Sequence, residues 1–190
     1  MAWLTDEQMR EMGFASFGNN MMLSDKAAYY NCGNIRLGDD VRVDDFCVLA
    51  AGQGGIDIGS HVHVAVYSSI IGRAKIKIED FAGLSSRVSV YSSSDDYSGT
   101  AMTNPTVPPE FTNVHHAEVN IGRHVIIGAG SIVLPGVTLE EGAAIGALSL
   151  IRKDCKSFWF YMGAPAKKIR ERKRDLLEIE KKFMERLERK

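Results

Sequence analysis

Two aspartates and two histidines, all able to take part in proton transfer, fall in one irregular stretch of the chain. Asp95 and Asp96 lie near its start, and His115 and His116 lie at its end. Histidine accepts a proton at neutral pH because its unperturbed pKa is about 6.5. A nearby carboxylate can orient such a histidine or hold the hydroxyl groups of a substrate. The pattern predicts general acid–base chemistry in this stretch, with His116 as the favoured base.

Other interpretations of these four residues stay open. The histidines can pack within a loop, and the aspartates can cap a turn. Asp95 can be the catalytic group itself, and a substrate amine needs little help from any base. We favour His116 because it directly precedes the point at which regular structure resumes, where a side chain can be held in place.

The other three histidines, His61, His63 and His124, are predicted to lie on the surface. His61 and His63 are two residues apart, and no third histidine follows at a matching distance. A catalytic zinc site needs three protein ligands and an open fourth position. The sequence therefore predicts no metal centre.

The elements that must position these side chains follow a six-residue period. Six is an even number, so the period fits the alternation of a β-strand and does not fit a helix of 3.6 residues per turn. Each hexad is predicted to form one short strand and a corner, with its aliphatic side chain in a central core. The aliphatic positions from residue 121 onward are Ile121, Ile127, Val133, Leu139, Ile145 and Ile151, and the small, β-branched or cysteine positions four residues later are Val125, Ser131, Val137, Ala143, Ser149 and Cys155.

The N-terminal half carries the same period less strictly, from Leu37 onward. It slips near Gly52–Gly55 and around Ile70–Ile76, as expected where a corner is lengthened or a strand pair bulges. Between Tyr91 and Glu118 the period is lost, and three prolines there oppose regular strand pairing. A loop of this length in a compact repeat domain is usually functional or disordered, and we predict a functional loop.

Segments outside the repeats are predicted to be helical or to close the last coil. Thr5 and Gln8 match a capping box for a short helix ending near Gly13. Residues 167–190 favour a charged helix, whose apolar stripe is predicted to pack on the repeat domain or on a neighbouring subunit. The stripe consists of Leu176, Ile179, Phe183 and Leu187, and the aromatic residues expected to cover the last coil are Phe158, Trp159, Phe160 and Tyr161. The predicted organisation is a cap at 1–34, the repeats at 35–155 with the loop at 91–118, and a C-terminal segment at 156–190.

Composition limits the function classes. The chain has 190 residues, 23 basic and 24 acidic residues and a net charge of -1, so it has no overall field that attracts nucleic acid or an anionic membrane. Its three cysteines, Cys32, Cys47 and Cys155, are odd in number and widely spaced, which fits a reducing compartment better than a disulfide framework, and none forms a CxxC pair. No run of 18 apolar residues and no signal-peptide pattern is present, so we expect a cytoplasmic protein with no membrane span.

The hexads resemble the repeat of the left-handed parallel β-helix acyltransferases over most of residues 35–155. The block VIIGAGSIVLPGVTLEEGAAIGALSLIRKDC at 125–155, followed by YMGAPAKKIRER at 161–172, is similar to sugar acetyltransferases of the galactoside, maltose and lipopolysaccharide type. This resemblance implies a mainly β fold: a left-handed β-helix with a short N-terminal helix, an excursion loop and a C-terminal helix. It also implies transfer of an acetyl group from acetyl-CoA to a sugar or nucleotide-linked amino sugar, in surface polysaccharide or lipopolysaccharide biosynthesis.

The resemblance further implies a homotrimer that binds acetyl-CoA in a groove between adjacent β-helices. Small residues would let the pantetheine arm reach the backbone, and cations would hold the phosphates. The implied backbone positions are Gly128, Ala129, Gly146 and Ala147, and the implied positions at the nucleotide end are Lys153, Ala164, Lys167, Lys168 and Arg170.

The chain departs from this family at the catalytic histidine. Galactoside-type relatives carry that histidine at a place that corresponds to about Ser94, where this chain has none. Two other functions stay open for the fold. One is a metalloenzyme of the γ-carbonic-anhydrase type, and the other is a β-helix that serves only as an assembly module.

Overall fold

The computed structural model describes residues 2–188 and shows a left-handed parallel β-helix with three flat faces. Each coil places one short strand on each face, and strands of successive coils pair in parallel. The predicted fold class is confirmed, including the short N-terminal helix, the excursion loop and the C-terminal helix.

Face 1 contains β3 (Ile35–Leu37), β6 (Ile56–Ile58), β9 (Ile76–Ile78), β14 (Val119–Ile121) and β17 (Thr138–Leu139). Face 2 contains β1 (Met22–Leu23), β4 (Arg42–Val43), β7 (His63–Val64), β10 (Gly83–Leu84), β15 (Ile126–Ile127), β18 (Ala144–Ile145), β20 (Trp159–Met162) and the antiparallel β21 (Lys167–Glu171). Face 3 contains β2 (Ala28–Tyr30), β5 (Val48–Ala51), β8 (Ser69–Gly72), β11 (Ser89–Tyr91), β16 (Ile132–Val133) and β19 (Leu150–Ile151). The chain passes from face 1 to face 2 to face 3, so we name the turns between them corner 1–2, corner 2–3 and corner 3–1.

The six-residue period forms the core as predicted. The aliphatic residues in phase with Ile121 are at most 3% exposed. The second register lies at the corners, where Ser131 and Ser149 are buried and donate hydrogen bonds from their hydroxyls to the Gly146 carbonyl, at 3.1 and 2.7 Å. Serine fits these corners because its single hydroxyl satisfies a backbone acceptor inside the prism.

The excursion loop leaves and rejoins the coils at corner 3–1. Its two ends pair as an antiparallel hairpin of β12 (Ser93–Ser94) and β13 (His115–His116). Between them lies a short 3-10 turn at Pro109–Phe111. The loop is therefore an ordered arm whose base is fixed to the prism.

Two helices flank the prism. Helix α1 (Asp6–Glu11) begins after Thr5, and the predicted capping box is confirmed by reciprocal bonds between Thr5 and Gln8. Helix α2 (Asp175–Glu188) lies against corner 1–2, where Phe183 packs edge-on against Phe81. No helix within residues 2–188 is both long and apolar enough to cross a bilayer.

The C-terminal helix is shorter than predicted. The prediction of helix for residues 167–174 is wrong, because Lys167–Glu171 forms β21 alongside β20 and the helix begins only at Asp175. Strand pairing against the edge of the last coil overrides local helix propensity. The predicted aromatic cover of that coil is confirmed by the burial of Phe158 and Tyr161. The apolar stripe of α2 is only partly covered, since Ile179 is 65% exposed.

Candidate active site

The base of the loop holds His116 in a defined position. Its Nδ1 lies 2.8 Å from the Ser93 hydroxyl, which also accepts a hydrogen bond from the Arg73 backbone N–H at 2.9 Å. The ring is exposed, and its Nε2 has no partner within residues 2–188. His115 pairs with Ser94 across the hairpin, and its side chain is also exposed. His116 is thus anchored through one nitrogen and presents the other to solvent.

The two aspartates that follow β12 differ in their surroundings. Asp96 accepts hydrogen bonds from the Ser98 backbone N–H and from the hydroxyls of Ser98 and Thr100, at 2.8–3.0 Å. The Ser98 bonds in particular hold the pKa of Asp96 below its usual range. Asp95 is exposed, and its carboxylate has no partner in the described part of the chain. Asp96 therefore shapes a turn, and Asp95 is free to meet a ligand.

The backbone positions predicted for the coenzyme lie together at corner 2–3. Gly128 and Gly146 occupy adjacent rungs, because Ile127 pairs with Ile145. Ala129 and Ala147, one residue further on, are exposed. Neither of these alanine amides donates a hydrogen bond within residues 2–188. The corner thus presents small side chains and free N–H donors in a row.

The structure assigns Gly128 a packing role as well. A Cβ built on Gly128 would lie 2.5 Å from the Ala147 backbone nitrogen, so a side chain there would separate the two coils. A Cβ on Gly146 would meet the flexible side chain of Met162, at 2.8 Å from its Cγ. Tight stacking of coils accounts for Gly128 whether or not a ligand binds beside it.

The predicted basic residues are divided between two places. Lys167, Lys168 and Arg170 lie on β21, where Lys167 pairs with Met162 beside Gly146. Lys153 lies in the turn after β19, at corner 3–1. Two of the cations already contact aromatic rings: the Lys168 Nζ lies 3.4 Å from the centroid of Trp159, and the Arg170 guanidinium lies 5.6 Å from that of Phe160. Ala164 lies in the turn between β20 and β21.

Two of the histidines predicted to be surface residues support helix α2. The His124 side chain is only 12% exposed, and its Nε2 lies 2.6 Å from a Glu180 carboxylate oxygen. Burial, together with the charge of Arg123, lowers the pKa of His124. His61 stacks on Phe81, with ring centroids 5.0 Å apart, and Phe183 packs edge-on against it. His124 points outward from the prism as predicted, but the prediction of a surface residue is wrong, because α2 covers it.

His63 belongs to a polar cluster that our sequence analysis missed. It lies on the outer side of face 2, with Nε2 2.9 Å from Asp44, which is 5% exposed. The Arg42 guanidinium donates to the other oxygen of Asp44 at 2.7 Å. Burial alone would raise the pKa of Asp44, but the hydrogen bonds from Arg42 and His63 outweigh it and the pKa is lowered. Arg42 and His63 are one coil apart and pair in the sheet, and this spacing is the feature of the sequence from which the cluster could have been predicted. Within residues 2–188, no three or more His, Cys, Asp and Glu side chains are grouped to hold a metal ion.

Comparison with known proteins agrees with this fold. Residues 118–153 match the family model described as bacterial transferase hexapeptide (six repeats). The chain is 58% identical to the dTDP-4-amino-4,6-dideoxy-D-glucose acyltransferase of Escherichia coli, over 96% of this chain and 95% of the relative.

Solved structures of one enzyme superpose closely on the chain. AntD, an N-acyltransferase from Bacillus cereus, was solved in complex with dTDP and 3-hydroxybutyryl-CoA, and it matches with a TM-score of 0.93 and 41% identity over 98% of both chains. A serine variant was solved with dTDP-4-amino-4,6-dideoxyglucose and coenzyme A. An aspartate variant was also solved, with the replaced residue ten positions after that serine.

High identity over nearly the whole chain, the matched repeat model and the shared β-helix lead to one family. The chain belongs to the hexapeptide-repeat acyltransferase superfamily and is an acyltransferase.

Proposed function

We propose that this protein transfers an acyl group, acetyl in the simplest case, from acyl-CoA to the amine of a dTDP-linked 4-amino-4,6-dideoxy sugar. The observation that carries this proposal is the 58% identity, over nearly all of both chains, to an enzyme named for that acceptor. The complexes of AntD with coenzyme A and this type of sugar nucleotide support it. Such amino sugars fit a role in surface polysaccharide biosynthesis.

The coenzyme is proposed to lie along corner 2–3. The amide groups of a pantetheine arm can bond to the free backbone donors of Ala129 and Ala147. Small side chains are needed there because a bulky one would fill the space of a thin ligand. Lys167, near the same end of the corner, is proposed to contact phosphate. Lys168 and Arg170, on the same strand as Lys167, are proposed to add positive charge around the nucleotide end. Lys153 is at corner 3–1 and is proposed to reach that end only from a neighbouring copy.

The acceptor is proposed to bind at the excursion loop. An amino sugar carries a positive charge at neutral pH, and the free carboxylate of Asp95 can hold that ammonium group. The Nε2 of His116 can then take the proton that the ammonium must lose before it becomes a nucleophile. Asp95 lies ten residues after Ser85, the spacing of the two residues replaced in AntD. Ser86 and Asp96 share that spacing, but Asp96 is engaged in its own turn. Asp96 and His115 are proposed to stabilise the loop.

A complete site needs two copies of the chain. The coenzyme groove is at corner 2–3, and the loop leaves from corner 3–1, so the full width of face 3 separates them. Extended chain across that face spans roughly 20 Å, which is too far for direct transfer. A neighbouring copy whose loop lies along corner 2–3 brings the two halves together. A closed ring of three copies provides this contact at each interface.

Exposed apolar side chains support contact between copies at this corner. Phe46 and Tyr67 stack there with centroids 5.1 Å apart and are 49% and 53% exposed. Leu148, at the same corner, is 76% exposed. Exposed aromatic pairs such as Phe46 and Tyr67 are typical of interaction sites.

All three cysteines are buried free thiols, which supports our placement of the protein in the reducing cytoplasm.

A pair of matched acceptors tests the proposed function. With acetyl-CoA and dTDP-4-amino-4,6-dideoxyglucose, we expect release of free coenzyme A and a product heavier by one acetyl group. The analogue with a hydroxyl in place of the amine should react at least about 100-fold more slowly, because Asp95 would then meet no cation. Product mass and thiol release measure both.

Equal rates with the two acceptors would contradict the assignment of the amine. A wild-type enzyme that releases no coenzyme A with the amino sugar would contradict the proposed function as a whole.

A further inference from the structure

We propose that His63, oriented by Asp44, is a further catalytic group that carries a proton from the attacking amine to the sulfur of the leaving coenzyme A. This inference rests on the proposed function and assigns a role to residues outside the excursion loop. Three observations support it: the buried carboxylate of Asp44, a depression beside His63, and the position of both next to corner 2–3.

The carboxylate of Asp44 fixes which nitrogen of His63 is available. Asp44 stays ionised because Arg42 donates to one of its oxygens, so its other oxygen can only accept a hydrogen bond. The Nε2 of His63, 2.9 Å away, must therefore carry the proton. The lone pair is then on Nδ1, which has no partner in the described part of the chain, and the ring is about half exposed. A histidine held by a buried carboxylate in this way is fixed in its tautomer and orientation.

A depression of about 310 Å³ lies beside this histidine. His63 lines it together with Ser85 and Ile126. The depression exists because Gly83, which pairs with His63 in the sheet, has no side chain, and an added Cβ there would meet nothing within 4 Å. The gap has room for the carbonyl carbon of a thioester and the nitrogen that attacks it.

The depression continues the row of small residues proposed to hold the coenzyme. Ser85 lies one rung before Gly128, and Gly146 lies one rung after it, because Leu84, Ile127 and Ile145 pair in register. Successive rungs are about 4.8 Å apart. A pantetheine arm lying along Gly146 and Gly128 therefore points its sulfur towards Ser85 and His63. Asp44 is in the same row, two rungs before Ser85.

The proton transfer balances within one turnover. The neutral amine attacks the thioester carbonyl carbon, and a C–N bond forms. The positively charged nitrogen of the tetrahedral intermediate then gives one proton to Nδ1 of His63. When the C–S bond breaks, His63 passes that proton to the thiolate sulfur. The amide and the thiol leave, and His63 returns to its neutral form.

Three substitutions test this role. His63→Gln should lower kcat about 10²- to 10⁴-fold, with the KM for acetyl-CoA changed less than about threefold. Asp44→Asn should have a similar effect. Arg42 would still donate to the amide oxygen of the new side chain, so its NH₂ group would face His63. That NH₂ group would donate to Nε2 and so move the proton of His63 to Nδ1. Adding imidazole to His63→Gly should restore turnover in a saturable way, which a purely structural role would not produce. His61→Gln, two residues away and under α2, should keep kcat within about threefold of wild type.

A kcat of His63→Gln within about threefold of wild type would overturn the proposal, as would a loss in His63→Gly that imidazole does not restore. If His63→Gln fails to fold, restoration of turnover by imidazole in His63→Gly becomes the deciding measurement. These outcomes differ from failure of the proposed function, in which the wild-type enzyme itself does not acylate the amino sugar.

Discussion

Asp95→Asn and His116→Ala are each expected to lower kcat by about 10²- to 10⁴-fold with acetyl-CoA affinity preserved. Asp95 loses the charge that holds the ammonium, and His116 loses the ring nitrogen that takes its first proton. In the proposed shared site both side chains act on the amine of the acceptor and not on the coenzyme. The KM for acetyl-CoA should therefore stay within about threefold. Steady-state kinetics at saturating acetyl-CoA measure both quantities.

Matched controls separate chemistry from loop stability. Glu110→Gln removes an exposed carboxylate from the same loop and should keep kcat within about threefold. His115→Gln alters the neighbouring ring and should cost less than about tenfold. Wild-type turnover in His116→Ala would eliminate it as the base and leave proton removal to Asp95 or to His63 alone.

Ile127→Ala is expected to destabilise the folded chain by about 2–5 kcal/mol. Ile127 is fully buried in β15 and stacks in the column that includes Ile145. Removing its side chain leaves a cavity that neighbouring coils, held by parallel pairing, can close only in part. Chemical denaturation monitored by circular dichroism gives the free energy of unfolding.

The control for this substitution is Ile169→Ala in β21, on the same face. Ile169 is 51% exposed, so its replacement should change the free energy of unfolding by less than about 1 kcal/mol. Equal losses for the two variants would mean that the aliphatic column is not the main source of stability.

The regular part of this fold could be read from the sequence because its constraint is local. One aliphatic residue at every sixth position, as at Ile121 and Ile127, determines both the strand and its inward side chain. The strand at Lys167–Glu171 could not be read in this way, since its local sequence favours a helix and only the exposed edge of β20 makes it a strand. Strand pairing that depends on a tertiary contact leaves no periodic pattern in the sequence.

The candidate site divides in the same way, into residues marked by the local sequence and residues brought together only by tertiary contacts. Asp95 and His116 could be proposed as site residues from the sequence because they interrupt the repeat within a polar loop. The pair of Asp44 and His63 was missed because its members are nineteen residues apart and come together only when successive coils stack. The role of His124 was misjudged for a related reason, because α2 covers it from more than fifty residues away.

A mixed-copy experiment tests most directly the claim that each site joins the loop of one copy to the groove of another. Asp95→Asn removes the loop function, and Ala147→Trp fills the groove, so each variant alone should be nearly inactive. Mixed assemblies can be purified through different tags on the two variants. In the proposed trimer, one of the three interfaces of a mixed assembly joins an intact loop to an intact groove, so about one third of wild-type activity should return. Mixed trimers as inactive as the separate variants would contradict the shared site.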